Sequence, residues 1–243
     1  MEMIPLLEKL TQACGVAGDE GPIADLLEQE IKDIGPVRRT PLGSLICTVK
    51  QEAPEKPHVV LEAHIDEIGL MVCAIDEEGF LKVTRCGGID RRVLCGKPVT
   101  VGKGIPGVIG AKPIHLLTSE EREKSVPVKD LYIDIGALSR QEAEEAVSPG
   151  DPVTFDSLFD TAHGMIKSRA LDDRAGCAIL IDLLKKPLLY DMLFAFVVQE
   201  ETGLNGSKTA AYIADPDAAI VVESTTAADV AGVPEDKQVC HVG

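Results

Sequence analysis

Tryptophan is absent from this chain, and aromatic residues make up only 3% of it. The core must therefore be aliphatic, and the aromatic platforms on which polysaccharide grooves rely are not available. Positive charge is also scarce. Lys and Arg number 24 against 40 Asp and Glu, a formal net charge of −16, which argues against a nucleic-acid partner and the basic patch it requires. No C-x-x-C pair occurs. The seven cysteines (Cys14, Cys47, Cys73, Cys86, Cys95, Cys177 and Cys240) are scattered and odd in number. A disulfide framework or a structural zinc site is not expected; reduced thiols in a cytoplasmic protein are. The N-terminus lacks a basic n-region and a signal-peptide core, and no apolar stretch reaches the length of a membrane span. No membrane partner is expected.

What is present is a soluble globular composition, 45% hydrophobic and 26% charged over 243 residues, enough for one large domain or two small ones. Residues 58–63, 192–199 and 218–222 are short continuous apolar runs, the pattern of buried parallel strands. Helical periodicity marks a first helix with Leu7, Leu10 and Cys14 on one face. It marks a second from Pro22, favoured at its start by Asp19 and Glu20, with Ile23, Leu26, Leu27, Ile31 and Ile34 as its stripe and Gly35-Pro36 as its stop. Strand-like pieces lie at residues 37–39 and 44–49. A later helix spans about 174–186 and a short one 206–213. From about Gly69 to Phe155, Val/Ile-rich pieces alternate with Gly and Pro, which predicts a β-rich insertion in an α/β domain. Within it one helix is expected, residues 139–147, with a capping box between Ser139 and Glu142. The predicted organisation is a discontinuous α/β domain, 1–68 and 156–243, around an inserted domain, 69–155.

Each apolar run ends in a group that binds metal or moves protons, and open α/β sheets bind ligands beyond the carboxyl ends of their strands. The first run leads into His64-Ile65-Asp66. Period-two alternation puts His64 and Asp66 on one side, which fits a metal-binding histidine steered by a carboxylate; a satisfied histidine at a capped strand end is the alternative. The second run leads into Glu200-Glu201, where adjacent carboxylates at a buried strand end suit metal binding or proton transfer, unless they form an exposed loop pair. The third leads into Glu223, unremarkable alone. Asp172-Asp173 opens a helix and is either part of the same cluster or a pair of N-terminal acids facing the helix dipole. His58, His115 and His163 have no comparable setting.

Taken in order, His64-x-Asp66, Leu171-Asp172-Asp173-Arg174-Ala175-Gly176, Gln199-Glu200-Glu201-Thr202-Gly203 and Glu223 resemble the M42 family of metallo-aminopeptidases over nearly the whole chain. The resemblance implies a metallopeptidase (phosphorylase/hydrolase-like) α/β domain with an inserted small β-barrel-like domain that supports a homo-oligomer, a dimer or dodecamer. It implies hydrolysis of N-terminal residues from short peptides with two divalent metal ions (Zn, Co or Mn). His64 and Glu223 would hold one metal, Asp172 would bridge both, and Glu201 would hold the second. The metals, about 3.5–4 Å apart, would share a water, with Glu200 as general base and Asp66 orienting His64. Asp173 matches the motif but is no ligand in that scheme.

Two departures qualify these expectations. The family usually has Asp where this chain has Glu223. The family's last metal-binding histidine lies in a segment beyond this point, and His241 does not sit in its motif. The chain therefore reads as a C-terminally truncated form that retains only one metal tightly. The rival function is a weakly active or inactive scaffold that keeps the oligomerisation domain. A glycosidase pair at Glu200 and Glu201 is discounted because adjacent strand-end residues point apart.

Overall fold

The computed structural model describes residues 3–49, 58–188, 190–227, 230–238 and 240. In chain order, α1 (Met3–Gln12) and α2 (Gly21–Ile31) precede β1 (Val37–Arg39), β2 (Leu45–Val49) and β3 (His58–His64). Next come β4 (Gly69–Ile75), β5 (Leu81–Cys86), β6 (Pro98–Val101) and β7 (Ile105–Gly110), then α3 (Ser119–Arg122), β8 (Tyr132–Asp134), α4 (Arg140–Ala146) and β9 (Pro152–Phe155). The hairpin β10 (Asp160–Ala162) and β11 (Met165–Lys167) leads to α5 (Leu171–Leu184), β12 (Asp191–Val197), α6 (Asn205–Ala214) and β13 (Ala218–Val221).

The α/β part is a five-stranded sheet in the order β1-β2-β12-β3-β13. β3 pairs in parallel with β12 and with β13, while β2 runs antiparallel to β12 and to β1. The uninterrupted apolar run of β12 reflects coverage on both faces. Phe194 and Phe196 pack into the core built with α1, α2 and α5; Leu193, Ala195 and Val197 pack on the other face with Ala210 and Ala214 of α6. Helix α2 buries Ile23, Leu27 and Ile31 at four-residue spacing. The predicted stripe extended to Ile34, but the helix stops at Ile31 and Ile34 sits in a turn bonded to the Ile31 carbonyl, because Pro36 disfavours helical backbone just before it.

Strand β13 departs from its sequence pattern. Residues 218–222 read as a buried strand, yet all four residues of β13 are exposed, Ile220 at 55% and Val221 at 59%. The strand pairs only with β3, at the sheet edge. An apolar run records a preference for burial; it does not specify what covers the strand.

The remaining strands close into a barrel, β4-β5-β8-β7-β6-β9, filled by Leu70, Val72, Leu81, Val101, Ile133 and Val153. Its helices divide the expected capping chemistry differently. Ser139 Oγ accepts the Glu142 amide at 3.3 Å, but the Glu142 carboxylate accepts from Leu138 rather than Ser139, so the box at α4 is half formed. A complete box lies at Thr118 and Glu121, heading α3. Sequence reading missed it because no apolar run comes after those residues.

Candidate metal centre

The parallel pairing of β3, β12 and β13 aligns their carboxyl ends. His64, the last residue of β3, is level with Val197, and Glu62 with Val221. Beyond β12 the chain turns at Gln199, which has φ of 55°, and places Glu200 and Glu201 in a turn closed by Gly203 and Leu204 amides on the Glu200 carbonyl. Glu223 lies two residues beyond β13. At the head of α5, Asp172 and Asp173 have non-helical backbone and a cis peptide bond between them. Asp173 Oδ1 accepts the Gly176 amide at 3.0 Å, the cap bond expected of an acid at a helix start, so that alternative holds for Asp173 and not for its neighbour. Asp172 reaches His64 instead.

His64 is 2% exposed. Its Nδ1 lies 3.0 Å from the Asp66 carbonyl oxygen. A carbonyl only accepts, so Nδ1 carries a proton, and Nε2 is the ring atom with which His64 could ligate. Nε2 faces Asp172 Oδ1 at 3.0 Å and Glu223 Oε1 at 3.6 Å. Ligand atoms of His64, Asp172 and Glu223 lie within 4.8 Å of one another, and so do those of His64, Glu200 and Glu201. The imidazole is thus common to both clusters. Glu200 and Glu201 converge rather than point apart, because they occupy a turn and not a strand. Divergence therefore gives no ground against a glycosidase pair, whereas the absence of Trp still does.

The electrostatics describe an excess of negative charge around one ring. Burial alone would lower the His64 pKa, but hydrogen bonds to Asp172 and Asp66 outweigh it and raise it to about 11. Burial, reinforced by neighbouring carboxylates, pushes Glu201 up to about 7 and Asp173 up to about 7. Asp172 is held below its ordinary value, chiefly by its bond to His64. The ring proton on Nε2 balances carboxylates that resist simultaneous ionisation, and a divalent cation in its place would do the same, so the donor set fits one.

Around these groups lie residues that sequence reading did not single out. The Cys177 thiol donates to the His64 carbonyl at 3.2 Å. Arg174, fully buried, donates to the carbonyls of Ile65, Leu10 and Ala13, and buried Glu67 pairs with Arg169 at 3.2 Å. Glu20, read only as an acid favouring the start of α2, makes no cap bond there and reaches the Gln199 amide. Gly87, just past β5 of the barrel, packs against Glu201. A Cβ there would lie 2.8 Å from Ile68 Cγ2 and 3.3 Å from Glu201 Oε2, at a φ of +91°. Gly87→Ala is accordingly expected to lose about 1 kcal/mol or more of stability and to displace the Glu201 carboxylate. Thermal unfolding and divalent-ion titration calorimetry check both, and unchanged ion affinity would show that Glu201 moves freely.

Asp66 contacts more than the His64 ring. Its carboxylate is 3.5 Å from His64 Nδ1 and also accepts the Glu200 and Glu201 amides. His58, His115 and His163 join neither cluster among the described residues, and His241 lies outside the described residues. A cavity of about 590 Å³ on the barrel, lined by Lys82, Lys112 and Val126 among others, contains none of the site groups; the site is an open sheet edge. No described helix is long and apolar enough to cross a membrane.

Comparison with known proteins identifies the family of the chain. The family model for M42 glutamyl aminopeptidase matches residues 43–243. The glutamyl aminopeptidase of Lactococcus lactis is 31% identical over 247 residues, covering 96% of this chain and 69% of that protein. The crystal structure of a TET aminopeptidase from a marine sediment archaeon of the Thaumarchaeota superposes with a TM-score of 0.94 at 33% identity, covering 99% of this chain and 70% of the other. The TET1 peptidase of Pyrococcus horikoshii, described as assembling into a tetrahedron or a large octahedral shell, gives a TM-score of 0.82 at 40% identity over 91% of this chain and 68% of its own.

Proposed function

Because the chain belongs to the M42 glutamyl aminopeptidase family, we propose that the edge beyond β3, β12 and β13 is the active site of a metal-dependent aminopeptidase acting on short peptides. The observation that carries this reading is the pair of clusters, His64 with Asp172 and Glu223, and His64 with Glu200 and Glu201. In this reading His64, Asp172 and Glu223 would hold one divalent ion (Zn, Co or Mn), and Glu201, together with Asp172 on the family resemblance, would help to hold a second. When bound, the ions supply Lewis acidity toward the scissile carbonyl and its developing oxyanion.

The protein's own groups do the rest. Asp66 keeps the His64 ring in one tautomer through its carbonyl and fixes the amides of Glu200 and Glu201 through its carboxylate. Glu200 accepts a proton from the attacking water as the hydroxide oxygen bonds to the carbonyl carbon, then delivers that proton to the amine nitrogen as the peptide bond breaks. The same reading treats residues 69–155 as the oligomerisation domain and 1–68 with 156–243 as the catalytic one. Self-association through the barrel is supported by Ile114 and Leu116, exposed at 72% and 58%. The free state of all seven cysteines supports a cytoplasmic setting. Prolonged chelation is expected to abolish hydrolysis of aminoacyl substrates and a divalent ion to restore it. Full turnover in a sample shown metal-free by elemental analysis would overturn the mechanism.

A further inference from the structure

Three consecutive amides at the site donate to two carboxylates from distant parts of the chain. Glu200 and Glu201 donate to Asp66 Oδ1 and Oδ2 at 3.0 and 3.1 Å. Gln199 donates to Glu20 Oε1 at 3.2 Å, and that oxygen also accepts the Gly18 amide at 2.7 Å. Glu20 is 6% exposed. A carboxylate taken out of water needs partners, and this one finds none on the helix it precedes.

Gln199 needs such a restraint. Its φ of 55° is left-handed, a region that non-glycine residues leave unless their surroundings hold them. The far side of the turn is closed by its own backbone, with Gly203 and Leu204 amides on the Glu200 carbonyl and the Asn205 amide on the Gln199 carbonyl. The near side is closed by Glu20.

We propose that Glu20 is a positioning residue for peptide hydrolysis, holding Gln199 in its left-handed conformation and so directing the Glu200 and Glu201 carboxylates toward His64. This rests on the aminopeptidase reading. Side-chain direction at residues 200 and 201 is set by the backbone that enters them. A relaxed Gln199 rotates both carboxylates away from the imidazole, even with every ligand still in the sequence.

The test compares Glu20→Ala, Glu20→Asp and Glu20→Gln in the full chain loaded with Co²⁺. Gln keeps a carbonyl oxygen at the same reach, whereas Asp is one methylene short. Amide exchange at residues 199–201 should quicken about tenfold or more in the Ala and Asp variants, and the Co²⁺ absorption spectrum should change. Their kcat should fall about tenfold with KM little altered, and Glu20→Gln should recover most of the loss. Wild-type exchange, spectrum and kcat in Glu20→Ala and Glu20→Asp, with only a lower melting temperature, would overturn the proposal and leave Glu20 a stabilising residue. Glu200→Gln assayed in parallel separates the two readings. If it retains full turnover, the catalytic reading fails, while exchange and the Co²⁺ spectrum still decide whether Glu20 holds the turn.

Discussion

Glu200→Gln is expected to lower turnover of aminoacyl substrates by about 10²-fold or more, the scale of general acid–base catalysis, while metal content stays near that of the wild type. The amide is isosteric and still occupies the turn, whose backbone is held by Asp66 and not by the Glu200 side chain, so only the proton-accepting function is lost. Glu201→Gln is the necessary companion, since both carboxylates lie within 4.8 Å of His64 and proximity does not divide their roles. Glu201, raised to about 7 chiefly by burial, is the one whose charge a bound cation relieves, and its replacement should lose metal. Turnover and elemental analysis on both variants decide the matter. If Glu200→Gln strips the metal and Glu201→Gln keeps it, the two roles exchange.

Arg174→Met should cost about 3–5 kcal/mol of folding stability, the range for removing one partner of a buried ionic network. Replacing a buried charge with an apolar side chain can be neutral when the whole network is replaced. Here the other members remain. The carbonyls of Ile65, Leu10 and Ala13 lose their donor, and Glu67, 3.7 Å from the guanidinium, is left to Arg169. Methionine cannot donate to any of them. The effect extends to the site, because Ile65 lies between His64 and Asp66. Urea unfolding measures the loss. A change below about 1 kcal/mol would mean that water or Arg169 takes over the released carbonyls.

The chemical kinds of the site residues were legible in the sequence because strands announce themselves locally. Residues 192–197 are apolar on both faces and 58–63 nearly so, with Glu62 the buried exception, and the polar groups just past each run lie at the edge where parallel strands end together. His64, Glu200, Glu201 and Glu223 could be picked out on that ground. The closed barrel was legible only as texture, through Gly and Pro alternating with Val and Ile. Boundaries and caps were less so: Ile34 fits the stripe of α2 by spacing but is excluded by Pro36, and the complete capping box at Thr118 had no apolar run to advertise it.

Tertiary structure alone decided how these residues meet. Glu200 and Glu201 converge because a left-handed Gln199 turns the chain, a conformation that glutamine does not advertise. Asp172 leaves the helical path to face His64. Glu20 reaches an amide 179 positions away, and Arg174 one carbonyl 164 positions away. β13 lies exposed although its sequence is apolar. Periodicity records the local repeat of helix and strand and the tendency of a face to be buried. Which buried carboxylate finds which amide depends on strand register and helix packing, and those are properties of the assembled core rather than of any one segment.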